Sequence, residues 1–179
     1  MTDTHDDVAA SSARVLYLLR HAKSSWADPT LADRERPLAP RGRRDAKKIA
    51  KYLRRLGCRP ELVLCSAAAR TRETLELLRP ALGQSSVMLE EDLYAASCDE
   101  LLARIRLVPD TVASAMLIGH NPGLHQLALT VASVGDELER LEAKFPTAAL
   151  ATISLAKGWS RLAPAEATLE AFVVPKQLR

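Results

Sequence analysis

Apolar residues in this chain come in two rhythms. Val15-Leu16-Tyr17-Leu18-Leu19, Leu62-Val63-Leu64-Cys65 and Ala115-Met116-Leu117-Ile118 are short unbroken runs, with a weaker one at Val87 to Leu89. Each predicts a strand buried on both faces. From Gly42 to Leu56 the rhythm changes: Ala46, Ile49, Ala50, Leu53 and Leu56 recur at helical spacing, Lys and Arg fill the opposite face, and Gly57 stands where a helix would stop. Ser66 is a good N-cap for a helix running to about Leu78 and ended by Pro80, and Asp99 for one carrying Leu101, Leu102, Ile105 and Leu107. Leu124 to Val134 reads as another helix. After Pro146, Ala149 to Ser154 and Leu169 to Val174 read as two strands with no long helix between them, the spacing of an antiparallel pair.

Strands alternating with helices predict an α/β fold: a three-layer α/β/α sandwich with a mostly parallel central sheet and an antiparallel edge strand. Residues 1–13 are small, polar and aperiodic, and are expected to form a mobile tail before one domain over residues 14–179. In such sheets, ligands sit beyond the carboxyl ends of the strands. Arg20-His21, Ser66 to Arg70 and His120 fall at those ends, after the first, second and fourth strands. Three separate segments therefore converge on one crevice.

Composition narrows the class. The chain has 179 residues, 47% hydrophobic and 26% charged, enough to bury roughly 70% of its unfolded surface without disulfides or a structural metal. No apolar run approaches the roughly 20 residues that span a bilayer, and the first thirteen residues carry three Asp and no basic stretch. Neither membrane insertion nor a signal peptide is expected. Three cysteines without CxxC spacing suit reduced thiols in a cytoplasmic protein. Lys and Arg number 25 against 22 Asp and Glu, a net charge of +3. Arg41 to Arg55 alone holds eight basic residues against one acid, Asp45, so the remainder of the chain is net acidic. A solvated helix face is the commoner meaning of such a run, an anionic-partner patch the rarer. With aromatic residues at 4%, no base-stacking surface is evident, and no nucleic-acid partner is expected.

Two histidines and two arginines at strand ends suit a phosphoryl group, because guanidinium forks bind its oxygens and imidazole can attack phosphorus. Each signal is weak alone; their common location raises the odds. Rival chemistries fail on spacing. Cys65 is followed by Arg70 after four residues and by Arg72 after six, neither being a cysteine-phosphatase loop. GxxxxGK[ST], GxGxxG and GxSxG are all absent. His120 and His125 have Pro122 between them, which spoils a helical metal pair, and no metal is expected.

Leu19-Arg20-His21-Ala22-Lys23-Ser24, Arg36-Pro37-Leu38 with Arg41-Gly42, Cys65 to Thr74 (CSAAARTRET), and Ile118-Gly119-His120-Asn121-Pro122-Gly123 together resemble the histidine phosphatase superfamily, and within it the small SixA-type phosphohistidine phosphatases. The resemblance runs over about residues 14 to 178. It implies a phosphoglycerate mutase-like fold and a cofactor-independent phosphatase. His21 would be the nucleophile that becomes phosphorylated, and Arg20, Arg70 and His120 would complete the phosphate pocket, with Ser66 and Asn121 also binding substrate. Neutral His21 should have its tautomer fixed by a hydrogen bond to its other ring nitrogen. Where many relatives place a Glu to protonate an alkoxide, this chain reads Glu90-Glu91-Asp92-Leu93-Tyr94-Ala95-Ala96. Glu91, Asp33 and Glu35 are the candidate substitutes, although loop acids are usually only solvated. The implied substrate is a phosphorylated protein or small phosphorylated molecule, phosphohistidine foremost. A sugar-phosphate phosphatase, a phosphate-recognising module with little turnover and a basic interaction protein stand as alternatives. The oligomeric state is open.

Overall fold

The computed structural model describes residues 13–179, so the expected N-terminal tail lies, apart from Ala13, outside the described residues. In chain order the elements begin β1 (Arg14–Arg20), α1 (Pro40–Leu56), β2 (Leu62–Ser66), α2 (Ala69–Leu82), β3 (Ser86–Glu90) and α3 (Cys98–Arg106). They continue β4 (Ser114–Gly119), α4 (Gly123–Val131), β5 (Ala132–Val134), α5 (Leu138–Ala143), β6 (Leu150–Leu155) and β7 (Ala167–Val173). Short 3-10 turns at Asp33–Glu35 and Glu91–Leu93 lie between them. The strands form one sheet in the order β3-β2-β4-β1-β6-β7-β5.

Period-two alternation along the unbroken apolar runs serves both faces of this sheet. Leu16, Leu18, Leu64 and Leu117 pack with Leu101, Ile105, Leu124 and Leu127 of α3 and α4. Leu19, Val63, Cys65, Met116 and Ile118 pack with Ile49, Leu53, Leu75 and Leu78 of α1 and α2. Each such side chain contributes about 1.5–3 kcal/mol on burial, which is why sequences with no polar face become central strands. The α/β class and the mostly parallel sheet are as expected.

The position of the antiparallel strand is not. β6 runs antiparallel to both β1 and β7 and sits between them, whereas the edge strands β3 and β5 are parallel to their neighbours. The chain re-enters the sheet at the carboxyl end of β1, where the Ala148 amide donates to the Arg20 and His21 carbonyls, and so must run back down. β5, only three residues long, then closes the edge beside β7 by ending the α4 helix at Val131 instead of Val134.

Three helix boundaries also differ from the pattern. α2 starts at Ala69, because Ser66 is still in its strand, and continues past Pro80 because Ala81 and Leu82 bury in the core. α3 is capped by Ser97, not Asp99: the Ser97 hydroxyl accepts from the Glu100 amide while the Glu100 carboxylate accepts from the Ser97 amide at 2.8 Å. This reciprocal pair satisfies two end amides where Asp99 would satisfy one. Leu107, just past the helix, is exposed. No helix among the described residues is long and apolar enough to cross a membrane.

Two glycines set the approach of helices to the strand-end loops. A Cβ on Gly42 would lie 2.1 Å from the Lys23 carbonyl oxygen, and one on Gly123 would lie 2.0 Å from that of Ala96. Both therefore allow backbone contact that any side chain would prevent. Gly42 thereby holds the start of α1 against the loop that follows His21.

Candidate active site

Because β2, β4 and β1 are neighbours, their carboxyl ends deliver Ser66, Gly119-His120 and Arg20-His21 to one place. The His21 amide donates to the Gly119 carbonyl at 3.1 Å, locking the two histidine-bearing loops together. The imidazole rings of His21 and His120 lie 5.1 Å apart between centroids. Arg70, on the first turn of α2, points back into the same space and donates from Nε to His21 Nε2 at 3.3 Å. His21, Ser66, Arg70 and His120 are all buried.

Backbone groups decide how each ring is presented. His21 Nδ1 meets the Ala22 carbonyl at 2.8 Å. A carbonyl only accepts, so Nδ1 carries the proton and Nε2 keeps its lone pair facing Arg70. The loop is fixed from below: the Thr74 hydroxyl accepts from the Ala22 amide at 3.0 Å and donates to the Arg70 carbonyl at 2.7 Å. His120 Nε2 lies 2.8 Å from the Ser66 hydroxyl, which also accepts from the Ala68 amide. Among the described residues Nε2 is the one acceptor within reach of the Ser66 hydroxyl, so the hydroxyl proton is assigned to that bond and the His120 proton to Nδ1.

That Nδ1 has no hydrogen-bond partner among the described residues, and neither have the buried atoms Arg20 Nε and Asn121 Oδ1. A buried polar atom left alone costs about 1–3 kcal/mol. Here Arg20 Nε and His120 Nδ1, donors with that deficit, belong to side chains that adjoin His21 through their charge or ring, an arrangement suited to an oxyanion. The rest of each side chain is anchored: Arg20 Nη1 and Asn121 Nδ2 both donate to the Phe145 carbonyl at 2.9 Å.

Electrostatics match this arrangement. Burial pushes the His21 imidazole down to about 3, the Ala22 carbonyl opposing and His120, Arg70 and Arg20 reinforcing the shift. Burial and the Arg70 charge take His120 down to about 4. Both rings are neutral at pH 7. Burial also drives the Cys65 thiol up to about 12, so the cysteine of the second motif stays protonated and inert.

Of the three acids, Asp33 alone joins the cluster. Its carboxylate accepts from Tyr94 OH at 2.7 Å, Arg70 Nη2 at 2.9 Å and Arg36 Nη1 at 3.0 Å. The Tyr94 hydroxyl, with the two arginines, holds it at about 2. A carboxylate with three donors and that acidity is an acceptor, not a proton source, at neutral pH. Glu91 is exposed and paired with Arg34, and Glu35 is exposed on the Asp33 turn. Arg41 pairs with Asp45, Arg43 with Glu73, and Lys48 donates to the Leu178 carbonyl at 3.0 Å. Part of the basic helix is thus engaged in structural contacts.

Comparison with known proteins fits the geometry. Residues 16–101 match the model of the histidine phosphatase superfamily (branch 1). The structures designated phosphohistidine phosphatase SixA from Nakamurella multipartitia and Agrobacterium tumefaciens superpose with TM-scores of 0.79 and 0.77. The first is 30% identical, covering 91% of this chain and 96% of its own; the second is 32% identical, covering 90% and 98%. The chain belongs to the histidine phosphatase superfamily. It is a SixA-type phosphatase with a phosphoglycerate mutase-like fold. An uncharacterized protein of Mycobacterium leprae, 36% identical over 164 residues, covers 88% of this chain and 100% of its own length.

Several members of this phosphatase pocket were not singled out from sequence. Tyr94 packs edge-on to His120 with ring centroids 5.4 Å apart while bonding Asp33. Arg36 is buried, stacked on Trp26 and bonded to Ser24 Oγ and the Ser25 carbonyl. The Arg-Pro-Leu motif contains Arg36, which was a usable signal; Tyr94 and Thr74 had none beyond their residue type.

The two histidines make a direct prediction. NMR titration of their ring signals should give midpoints near 3 and 4, with no change between about pH 8 and 5; a midpoint near the ordinary imidazole value of 6.5 would contradict the described burial. The unfolded state takes up protons first, so stability is complete above the unfolded pKa and falls as pH drops from there toward 4 and then 3. The melting temperature should be lower at pH 5 than at pH 7.

Proposed function

We propose that this phosphatase hydrolyses phosphohistidine on proteins, with His21 Nε2 as the nucleophile. The phosphoryl group passes to Nε2, and water then releases phosphate from the phosphohistidine of the enzyme. Arg20, Arg70 and the Nδ1–H of His120 receive the charge on the equatorial oxygens, while Ser66 and Asn121 hold the pocket in shape. The reading needs no metal or organic cofactor. The three cysteines are free, which favours a cytoplasmic setting.

One observation carries the choice of substrate: the carboxylate in the pocket is an acceptor already met by three donors. An ester of a sugar or of serine expels a high-pKa alkoxide, and protonating it in the transition state is worth roughly 10²–10⁴ in rate. Phosphohistidine avoids this demand, since its ring carries a proton near neutral pH and leaves as neutral imidazole. Phosphate release should be compared for a phosphohistidine peptide, a phosphoserine peptide, a sugar phosphate and p-nitrophenyl phosphate. The phosphohistidine peptide is expected to exceed the alkyl phosphates by more than roughly tenfold in kcat/KM, about 1.4 kcal/mol, with the aryl ester between. Preference for a sugar phosphate would overturn the reading.

A further inference from the structure

Arg70 turns one edge of its guanidinium, Nε and Nη2, on two acceptors: His21 Nε2 at 3.3 Å and Asp33 Oδ2 at 2.9 Å. That edge is the fork that grips paired oxygens of a phosphoryl group. The nucleophilic nitrogen and the Asp33 carboxylate therefore lie side by side across one phosphate-sized fork. His21, His120 and Arg70 are buried, whereas the Asp33 side chain is half exposed, which puts the carboxylate on the open side. In-line attack from Nε2 drives the leaving group away from the ring, toward that side.

Three of the groups facing the carboxylate hold it in place. Arg70 comes from α2, with Nη1 donating to the Asp33 carbonyl at 2.6 Å as well. Arg36 comes from the Asp33 turn itself, and Tyr94 from the end of the Glu91–Leu93 turn. Arg34 stacks on Tyr94 but is paired with Glu91. His120 feels the Asp33 charge as well. Among the described residues Asp33 Oδ1 has one donor and Oδ2 two, which leaves lone-pair capacity on the half-exposed group.

We propose that Asp33 is the specificity-determining residue of this pocket, its carboxylate accepting a hydrogen bond from the ring N–H of a departing imidazole. The inference rests on the phosphohistidine reading and deepens it. In the step, the His21 Nε2 lone pair forms the new N–P bond as the substrate N–P bond breaks, and the breaking pair stays on the substrate ring nitrogen. That ring enters protonated on its other nitrogen and leaves as neutral imidazole, its N–H bonded to Asp33. No proton passes to or from the carboxylate. The His21 ring becomes the positively charged N-phosphoimidazole, its Nδ1–H still on the Ala22 carbonyl. An ester in the same place would press developing alkoxide charge against a carboxylate, so the residue that assists one substrate class opposes the other.

The test is kcat/KM, together with the single-turnover rate at saturating substrate as a function of pH, for wild type, Asp33→Asn and Asp33→Glu, with a phosphohistidine peptide and p-nitrophenyl phosphate. Asp33→Asn should lose about tenfold more on the peptide than on the ester. In the saturating rate its alkaline limb on the peptide should move to lower pH, because the protonated ring of the bound substrate is no longer stabilised. Asp33→Glu, which keeps the charge, should recover selectivity. A role confined to holding Arg70 would lower both substrates together and leave the limb where it was, and that result overturns the inference. Loss of selectivity in Asp33→Glu as complete as in Asp33→Asn would do the same. Should Asp33→Asn fail to fold, Asp33→Glu and the wild-type pH profile still decide. A wild type inert on the phosphohistidine peptide but active on esters sinks the proposed function instead, so the two failures are distinguishable.

Discussion

Replacing His21 by alanine is expected to reduce turnover by about 10⁴-fold or more, because the variant loses the atom proposed to form the covalent bond and not merely one that stabilises charge. The fold should survive. The ring lies in the pocket beyond β1 and belongs to neither core cluster, and its single backbone bond is to Ala22 within the same loop. The loop keeps its Thr74 and Gly119 anchors. Circular dichroism and melting temperature should therefore remain close to wild type. In parallel, brief incubation of the wild type with labelled substrate should leave a phosphoryl group on the protein that is acid-labile and base-stable, as a phosphoramidate is, and His21→Ala should show none. Retained activity in the variant would remove His21 as nucleophile.

Arg70→Ala is expected to cost roughly 10²–10³ in kcat, the effect of deleting one preorganised donor to a charged transition state. Arg70→Lys should recover little of it, since an ammonium cannot reproduce the Nε and Nη2 fork that spans His21 and Asp33. The arginine also contributes to keeping His21 neutral. Its removal should raise the His21 pKa, a change that ring titration reads independently of catalysis. A variant with unaltered kcat and an unmoved His21 midpoint would show that Arg70 serves only to hold Asp33.

Hydrophobic rhythm located the central strands, because a strand buried on both faces can hold only apolar residues and so announces itself locally. Strand ends follow from the same signal, and with them the positions of Arg20, His21, Ser66 and His120. Local signals failed where two local solutions compete. Ser66 looks like a cap but lies in β2, with its hydroxyl on His120. Asp99 looks like a cap but yields to Ser97, whose partner Glu100 satisfies both ends of the box. Pro80 looks like a stop but is outweighed by the burial of Ala81 and Leu82.

The sequence by itself determined the α/β class, the strands that make the sheet's centre and the residues that meet at its carboxyl edge, all of them consequences of periodicity and of which residues can bear burial. Only the tertiary structure decided that β6 runs antiparallel inside the sheet, since strand order depends on contacts between segments far apart in the chain. Only it could find the Ala22 carbonyl as the partner of His21, because every residue carries a carbonyl and none signals its direction. The same holds for Asp33. As a residue type it is one loop acid among several, and it becomes part of the pocket because Arg70, Arg36 and Tyr94, drawn from three segments, all donate to it. Proton affinity is set by such neighbours, and neighbours across the fold are not written in the order of residues along the chain.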